Sequence, residues 1–291
     1  MQIIVGSEGK GIWAKKYINF ILKKLGYETI IWKNTNECKF IVSSFFIQDE
    51  NYWNKSKKPY VYWSGESMTP NSNPNATKSI YLLSTTETNV KNLIYNPFIL
   101  HSPHINLSRK YSNTDRKYFL AYCNSNRIPE RETMFNLFVM KKGADLCHAL
   151  SKCCGNYPET KKESPKGEWY DHDIIDIYKD YTFVIAMENK CKPGYVTEKI
   201  LNAFYSGAIP IYWGSKNIDD FFNTNAFINA NKFNSFFDCV NYVCNMSQED
   251  IIKMSREKIY NESNELIDIY KDQPNNKTLE EQIEIFKRLL N

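Results

Sequence analysis

Residues 181–215 read Tyr-Thr-Phe-Val-Ile-Ala-Met-Glu-Asn-Lys-Cys-Lys-Pro-Gly-Tyr-Val-Thr-Glu-Lys-Ile-Leu-Asn-Ala-Phe-Tyr-Ser-Gly-Ala-Ile-Pro-Ile-Tyr-Trp-Gly-Ser, and their reading decides the fold. The run Tyr181–Met187 is short, apolar and rich in β-formers, as expected of a buried parallel strand. Glu188 and Asn189 end it, and a loop carrying Pro193 and Gly194 follows. Ile200, Leu201, Phe204 and Tyr205 recur at helical spacing, and Gly207 is placed to close that helix. Ile209-Pro210-Ile211-Tyr212-Trp213 starts a second strand, with Pro210 tolerated near its beginning. Together these make a βαβ unit of an open α/β sheet, a fold that binds ligands beyond the carboxyl ends of its strands. Glu188, Asn189, Tyr195, Glu198 and Lys199 crowd that rim.

Charge narrows what the rim could hold. A helix N-terminus offers N–H groups and a partial positive charge, a natural seat for phosphate. Lys199 adds a full positive charge, while Glu198 can accept hydrogen bonds from the hydroxyls of a sugar. A site that suits both an anion and a polyol points to a nucleotide sugar. The plainer alternative is that Thr197 and Glu198 only favour the helix start and that Lys199 is solvated.

The stretch Phe183–Ser215, with Glu188-Asn189, Gly194-Tyr195-Val196-Thr197-Glu198-Lys199 and Ile209-Pro210-Ile211-Tyr212-Trp213-Gly214-Ser215, closely resembles the signature of the α1,3/4-fucosyltransferase family. The resemblance implies a GT-B type glycosyltransferase, with two Rossmann-like α/β domains facing a cleft, that uses GDP-fucose and inverts the anomeric centre. By position, Tyr195, Glu198 and Lys199 look like donor contacts. Glu198 would take the ribose hydroxyls and Lys199 the diphosphate, with Glu188 and Asn189 beside them.

Two further candidates lie upstream. Pro59-Tyr60-Val61-Tyr62-Trp63 reads as a buried strand ending in Ser64-Gly65-Glu66. A carboxylate just past a strand's end, after a glycine that lets the backbone turn, is where an active-site group sits; a solvated loop glutamate fits the same residues. With Pro70-Asn71 after it, the segment looks like the one that carries the family's proposed general base, which makes Glu66 the catalytic candidate. Relatives often have Asn after this Glu, whereas this chain has Ser67. Lys117–Cys123 reads as another strand, and Pro129, Glu130 and Glu132 suit the first turn of a helix running to about Lys142. Arg131 in that turn opposes the dipole preference for acids and makes sense beside an anion. The resemblance implies that Arg131 meets the donor diphosphate; Arg127 is its competitor.

Composition sets the outer limits. The 291 residues suit two compact domains or one large one. A net charge of +4, with charges interspersed, gives no basic run that would argue for nucleic acid and suits a phosphorylated donor. The chain opens on Gln2-Ile3-Ile4-Val5 without a signal-peptide pattern, and nowhere do eighteen apolar residues run together, so a cytoplasmic or otherwise soluble protein is expected. The eight cysteines include no C-x-x-C pair and are expected as reduced thiols. Sequons such as Asn75-Ala76-Thr77 and Asn106-Leu107-Ser108 arise by chance in an Asn-rich chain.

The remaining segments place the boundaries. Residues 2–6, a helix over 11–25 and strands at Thr29–Trp32 and Phe40–Phe46 open an α/β domain; Gly6-Ser7-Glu8-Gly9-Lys10-Gly11 between them fits no phosphate-loop pattern. Residues 78–84 and 93–100 continue that domain. Periodicity is lost over 101–116, the linker candidate, and its His101 and His104 lack partners at metal-ligand spacing. We expect an acceptor-side domain at 1–108, a donor domain at 117–275 and a helix at 276–291 that could pack across the junction. Asp171-His172-Asp173 is similar to the metal-holding Asp-x-Asp of other glycosyltransferases, but it precedes the helical stretch Ile174–Lys179, where Asp is a favoured cap.

The expected reaction is inverting transfer of L-fucose from GDP-fucose to a hydroxyl of an oligosaccharide or glycoconjugate acceptor, α1,3-linked, with no divalent metal required. The rivals are a metal-dependent transferase built on Asp171 and Asp173, and a non-catalytic carbohydrate- or nucleotide-binding module.

Overall fold

The structure, a computed structural model, describes residues 1–44, 58–67, 79–86, 92–101, 109–110, 112–113, 115–166, 173–260 and 277–291. Phe45 and Phe46, Pro70-Asn71, the sequons at Asn75 and Asn106, His104 and the pair Asp171 and His172 lie outside the described residues. The chain divides into two compact units, one of 1–101, 192–195 and 267–291, the other of 102–191 and 196–266.

Among the described residues the first unit is built on six parallel strands, β1 (Gln2–Ser7), β2 (Thr29–Trp32), β3 (Phe40–Ser44), β4 (Tyr60–Ser64), β5 (Ser79–Leu83) and β6 (Leu93–Tyr95), in the order β2-β1-β3-β4-β5-β6. Val5, Phe40, Val42, Val61 and Leu82 are fully buried, and α1 (Lys15–Lys24) adds Ile18, Ile21 and Leu22 to the same core. The helix expected over 11–25 divides in two, because Gly9–Ala14 winds as a tighter 3-10 turn before α1 begins. The C-terminal helix, Leu279–Leu290, joins this core through Ile285, Phe286 and Leu289. Thr278 and Glu281 close a reciprocal capping box at its start, and Tyr17 Oη donates to Gln282 Oε1 at 2.7 Å.

Segment 192–195 also counts with the first unit, and its contacts there are specific. Tyr95 Oη donates to the Gly194 carbonyl at 2.7 Å, and Thr85 Oγ1 donates to the Pro193 carbonyl at 2.9 Å. Gly194 has φ +77°, and a Cβ there would stand 2.8 Å from the Tyr95 ring. Both the backbone conformation and the neighbouring ring therefore require glycine.

The second unit carries a five-stranded parallel sheet among the described residues, in the order β11-β10-β9-β7-β8. Its strands are β7 (Tyr118–Tyr122), β8 (Cys147–Ala149), β9 (Tyr181–Met187), β10 (Ile209–Trp213) and β11 (Ile228–Asn229). Its helices are α2 (Pro129–Lys142), α3 (Asp173–Tyr178), α4 (Glu198–Tyr205), α5 (Phe236–Cys244) and α6 (Gln248–Arg256), which makes Leu279–Leu290 α7. The central pair β9 and β10 matches Phe183–Met187 to Ile209–Trp213 in register, so the βαβ unit forms as its sequence predicts. Two Rossmann-like parallel sheets flanked by helices are the GT-B architecture.

The described part of the 101–116 stretch is tied down rather than linker-like. Lys110 N–H donates to Tyr205 O, Asn113 Nδ2 to Gly207 O, and Arg116 Nη2 to Ser206 O. A guanidinium on the last carbonyls of α4 complements the negative end of the helix dipole. Asp173 is the first residue of α3 and stands in its acidic first turn. Among the described residues no helix is long and apolar enough to cross a membrane, and no three His, Cys, Asp or Glu side chains gather where they could hold a metal ion.

Phe286 is fully buried against the first sheet, so Phe286→Ala should destabilise the protein by about 3–5 kcal/mol, the usual cost of truncating a core Phe. Urea unfolding checks this, with exposed Glu284→Ala in the same helix as a control that should stay within about 0.5 kcal/mol.

Candidate active site

The carboxyl end of β9 gathers Arg131, Glu188, Glu198 and Lys199. Arg131 lies in the first turn of α2, behind Pro129 at the helix start, and is only 2% exposed. Its Nε and Nη2 both donate to the Met187 carbonyl, at 2.9 and 2.7 Å. The competitor Arg127 is placed differently. Its side chain is 72% exposed and its Nε stands 3.3 Å from Glu132 Oε2. Glu132 is itself occupied by Tyr122 Oη at 2.5 Å and by the Gly155 N–H at 3.0 Å. Of the two arginines, the structure puts Arg131 against the strand end and Arg127 at the surface.

Glu188 follows Met187 and is fully buried. Its Oε1 accepts the Thr197 N–H at 2.8 Å, and the Thr197 hydroxyl lies 3.0 and 2.9 Å from the two carboxylate oxygens. Lys199 Nζ donates to Thr197 Oγ1 at 2.8 Å and to Glu188 Oε2 at 3.3 Å. Glu198 Oε1 lies 3.8 Å from the same ammonium. Thr197 occupies the N-cap position of α4 with an extended backbone, yet its side chain makes no capping hydrogen bond to its own helix. The hydroxyl serves Glu188 and Lys199 instead, so the reading of Thr197 as a mere helix starter gives way to a linking role.

Space at the site is set by Gly214. A Cβ at this position would lie 2.7 Å from Glu188 Cγ and 2.7 Å from Tyr212 Oη. The backbone of β10 comes that close because the Glu188 N–H donates to the Trp213 carbonyl at 2.8 Å. Tyr212 Oη accepts the Ser215 N–H at 3.0 Å and holds the turn behind it.

Electrostatics separates the titrating groups. Glu198 is 9% exposed, and burial, countered by Lys199 and reinforced by the neighbouring Glu188 charge, holds its carboxyl above the usual range. Burial acts to lower the Lys199 ammonium, but Glu188 and then Glu198 outweigh it and hold Lys199 above its ordinary value. Lys199 remains 25% exposed, so its charge still reaches solvent. The rim thus presents two cations, one buried and one partly open, beside a carboxyl that protonates unusually easily.

The other expected site residues are placed as follows. Asn189 is half-buried directly after Glu188. Tyr195 is buried, belongs to the first unit, and its N–H donates to Lys192 O at 3.1 Å. Glu66, also of the first unit, is half-buried past the end of β4, and its N–H donates to Ser64 Oγ at 3.2 Å. Gly65 before it faces the Phe98 ring, which a Cβ would meet at 2.3 Å. Ser44, Ser64, Ser84, Thr85 and Asn96 lie buried at or just beyond the carboxyl ends of β3 to β6, which makes that edge polar. The Met187 carbonyl, Thr197 and Gly214 complete the second unit's arrangement. The sequence hid the roles of the Met187 carbonyl and Gly214, because a main-chain acceptor and a missing side chain leave no charge pattern, and it showed Thr197 only as a helix-start residue.

Residues 112–261, just over half the chain, match the family described as glycosyltransferase family 10 (fucosyltransferase), C-terminal part. The chain belongs to this fucosyltransferase family. An α-(1,4)-fucosyltransferase of Arabidopsis thaliana is 33% identical over 146 residues, covering 45% of this chain and 35% of that protein. The α-(1,3)-fucosyltransferase of Helicobacter pylori is 40% identical over 68 residues, covering 23% of this chain and 14% of that protein. The alignments therefore span about a third or less of these family members' own lengths. A crystal structure of an α1,3-fucosyltransferase with GDP-fucose superimposes with TM-score 0.68 at 17% identity, over 100% of this chain and 91% of that one, which shows the shared fold.

Gly214→Ala in this family member forces Glu188 or β10 to move. It should cost about 1–3 kcal/mol, as overpacking of a tight interior does. A lowered urea midpoint for the variant checks it, and an unchanged midpoint would mean that Glu188 yields without strain.

Proposed function

We propose that the chain transfers L-fucose from GDP-fucose to a hydroxyl of an acceptor glycan, with inversion at the anomeric carbon and an α1,3 linkage. The observation that carries the reading is the pairing of buried Arg131 with partly open Lys199 at the carboxyl rim of a Rossmann-like sheet. Such a rim is where nucleotide phosphates bind. Arg131 and Lys199 would neutralise the diphosphate, and the Glu198 carboxylate would accept the ribose hydroxyls, with Asn189 and Tyr195 as further donor contacts. Charge supplied by side chains and by the start of α4 leaves no step that requires a divalent metal.

In the proposed step, Glu66 takes the proton of an acceptor hydroxyl as that oxygen bonds to C1 of fucose. The bond from C1 to the β-phosphate oxygen breaks on the opposite face, and GDP leaves with the electron pair. Cations held in place before the reaction stabilise the charge that grows on the leaving diphosphate. General-base assistance is worth ~10²–10⁴-fold.

Glu66→Gln keeps the side chain's shape but cannot take a proton. GDP-fucose affinity should change little by calorimetry, while kcat for fucose transfer should fall about 10²–10⁴-fold. A rise in KM with kcat intact would assign Glu66 to acceptor placement instead.

Glu198 adds a pH signature. Only its ionised form accepts two ribose hydroxyls, and its carboxyl is held above the ordinary range. GDP affinity should therefore weaken on acidification at a higher pH than an ordinary carboxylate would cause, and Glu198→Gln should remove that component. Titrations of the two proteins over the same pH range check it; superimposable profiles would take Glu198 out of the donor site.

A further inference from the structure

The sequence groups Glu188 with the donor contacts, as a carboxylate at the end of the central strand. Its surroundings give it different work. The side chain has no exposed surface, and both oxygens are occupied, Oε1 by the Thr197 N–H and hydroxyl and Oε2 by the hydroxyl and Lys199 Nζ. A ligand hydroxyl would have to displace these donors, and a proton arriving at Oε2 would displace the ammonium. The neighbouring positions are shaped to keep the carboxylate where it is. A Cβ at Gly214 would meet the Glu188 methylenes at 2.7 and 3.0 Å, so the glycine leaves room for them, and the N–H of Glu188 is fixed to Trp213 O.

We propose that Glu188 is a positioning residue: it holds Thr197 and Lys199, and with them the first turn of α4, in the arrangement that receives the phosphate end of the donor, and it touches neither sugar nor acceptor. The inference rests on the donor-site reading above.

The chemistry of the cluster supports this assignment. Lysine ends in a flexible four-carbon chain with three donors, and left to itself it samples many rotamers. Two of its hydrogen bonds run to Thr197 Oγ1 and Glu188 Oε2. The ammonium keeps a third donor and is 25% exposed, with Glu198 Oε1 3.8 Å away, and the rotamer entropy that a phosphate would otherwise have to remove is already lost in folding. The Thr197 hydroxyl has a single proton, so it donates to Glu188 while accepting from Lys199. The chain Lys199 to Thr197 to Glu188 therefore has one direction. The Glu188 bond to the Thr197 N–H anchors the residue from which α4 starts, and a buried carboxylate on a helix's N-terminal side is also favoured by the dipole.

The test uses Glu188→Gln, Lys199→Ala and the double variant of the full chain. Two readouts separate the inference from the function on which it rests. The first needs no ligand: the pH dependence of Lys199 acylation by an amine-reactive reagent, read by mass spectrometry. Removing the Glu188 charge should move the Lys199 midpoint to lower pH; an unmoved midpoint overturns the positioning role whatever the protein binds. The second is GDP affinity by calorimetry. Glu188→Gln should weaken GDP about tenfold in the wild-type background and hardly at all in the Lys199→Ala background, since coupled neighbours do not add.

Additive losses would mean that Glu188 meets the donor directly. Unchanged GDP affinity with collapsed turnover would make it a proton acceptor. Either result overturns the proposal. Wild-type protein without measurable GDP affinity would sink the donor-site reading, and the acylation profile would still judge Glu188. If Glu188→Gln does not fold, Thr197→Val breaks the same chain at its middle link. It should weaken GDP in the same Lys199-dependent way, and a loss independent of Lys199 overturns the proposal.

Discussion

A buried guanidinium fixed to the end of a β-strand is the constraint on which the second unit's rim depends. Taking a full charge out of water is costly unless its hydrogen bonds are met. Arg131 places two N–H donors on the one Met187 carbonyl, at the last residue of β9. The contact ties the first turn of α2 to the end of β9. Because successive residues of an extended chain turn to opposite sides, Met187 enters the core while Glu188, one step on, turns toward α4. Two positive centres, one on each neighbouring helix, are thus referred to a single point in the backbone.

Two adjacent carboxylates are treated differently at this point. Glu188 is surrounded by donors, whereas Glu198 is buried with fewer and feels its neighbour's charge. Both oxygens of Glu188 are taken by Thr197 and Lys199, while Glu198 Oε1 stands 3.8 Å from the same ammonium. Lys199 lies between them and draws its raised basicity from both.

Much of this arrangement could be read from residues alone, and the reasons are local. The β9–α4–β10 unit was visible because a continuous apolar run, a helical repeat and a closing glycine are short-range signals. Arg131 stood out because a cation in a helix's first turn runs against the dipole. Strands β8 and β11 left no trace, since three and two residues are too few to show a period. The tie of Lys110, Asn113 and Arg116 to the end of α4 was invisible for another reason: polar residues look like linker until their carbonyl partners are known. Thr197 was recognised by type and position but misread in use. Only the three-dimensional neighbourhood shows that Glu188, nine residues earlier, takes a hydroxyl that would otherwise cap the helix.

The glycine of the Gly-Tyr-Val-Thr-Glu-Lys motif has a consequence for how such a protein can be divided or recombined. Gly194 is kept by the ring of Tyr95, whose hydroxyl also holds its carbonyl, and Pro193 is held by Thr85. Both anchors precede residue 112, where the family match begins. A recombinant exchange that moved only the matched segment would carry the motif's letters without the surface that folds them. A crossover at residue 84 or earlier would keep the loop and its support in one inherited block.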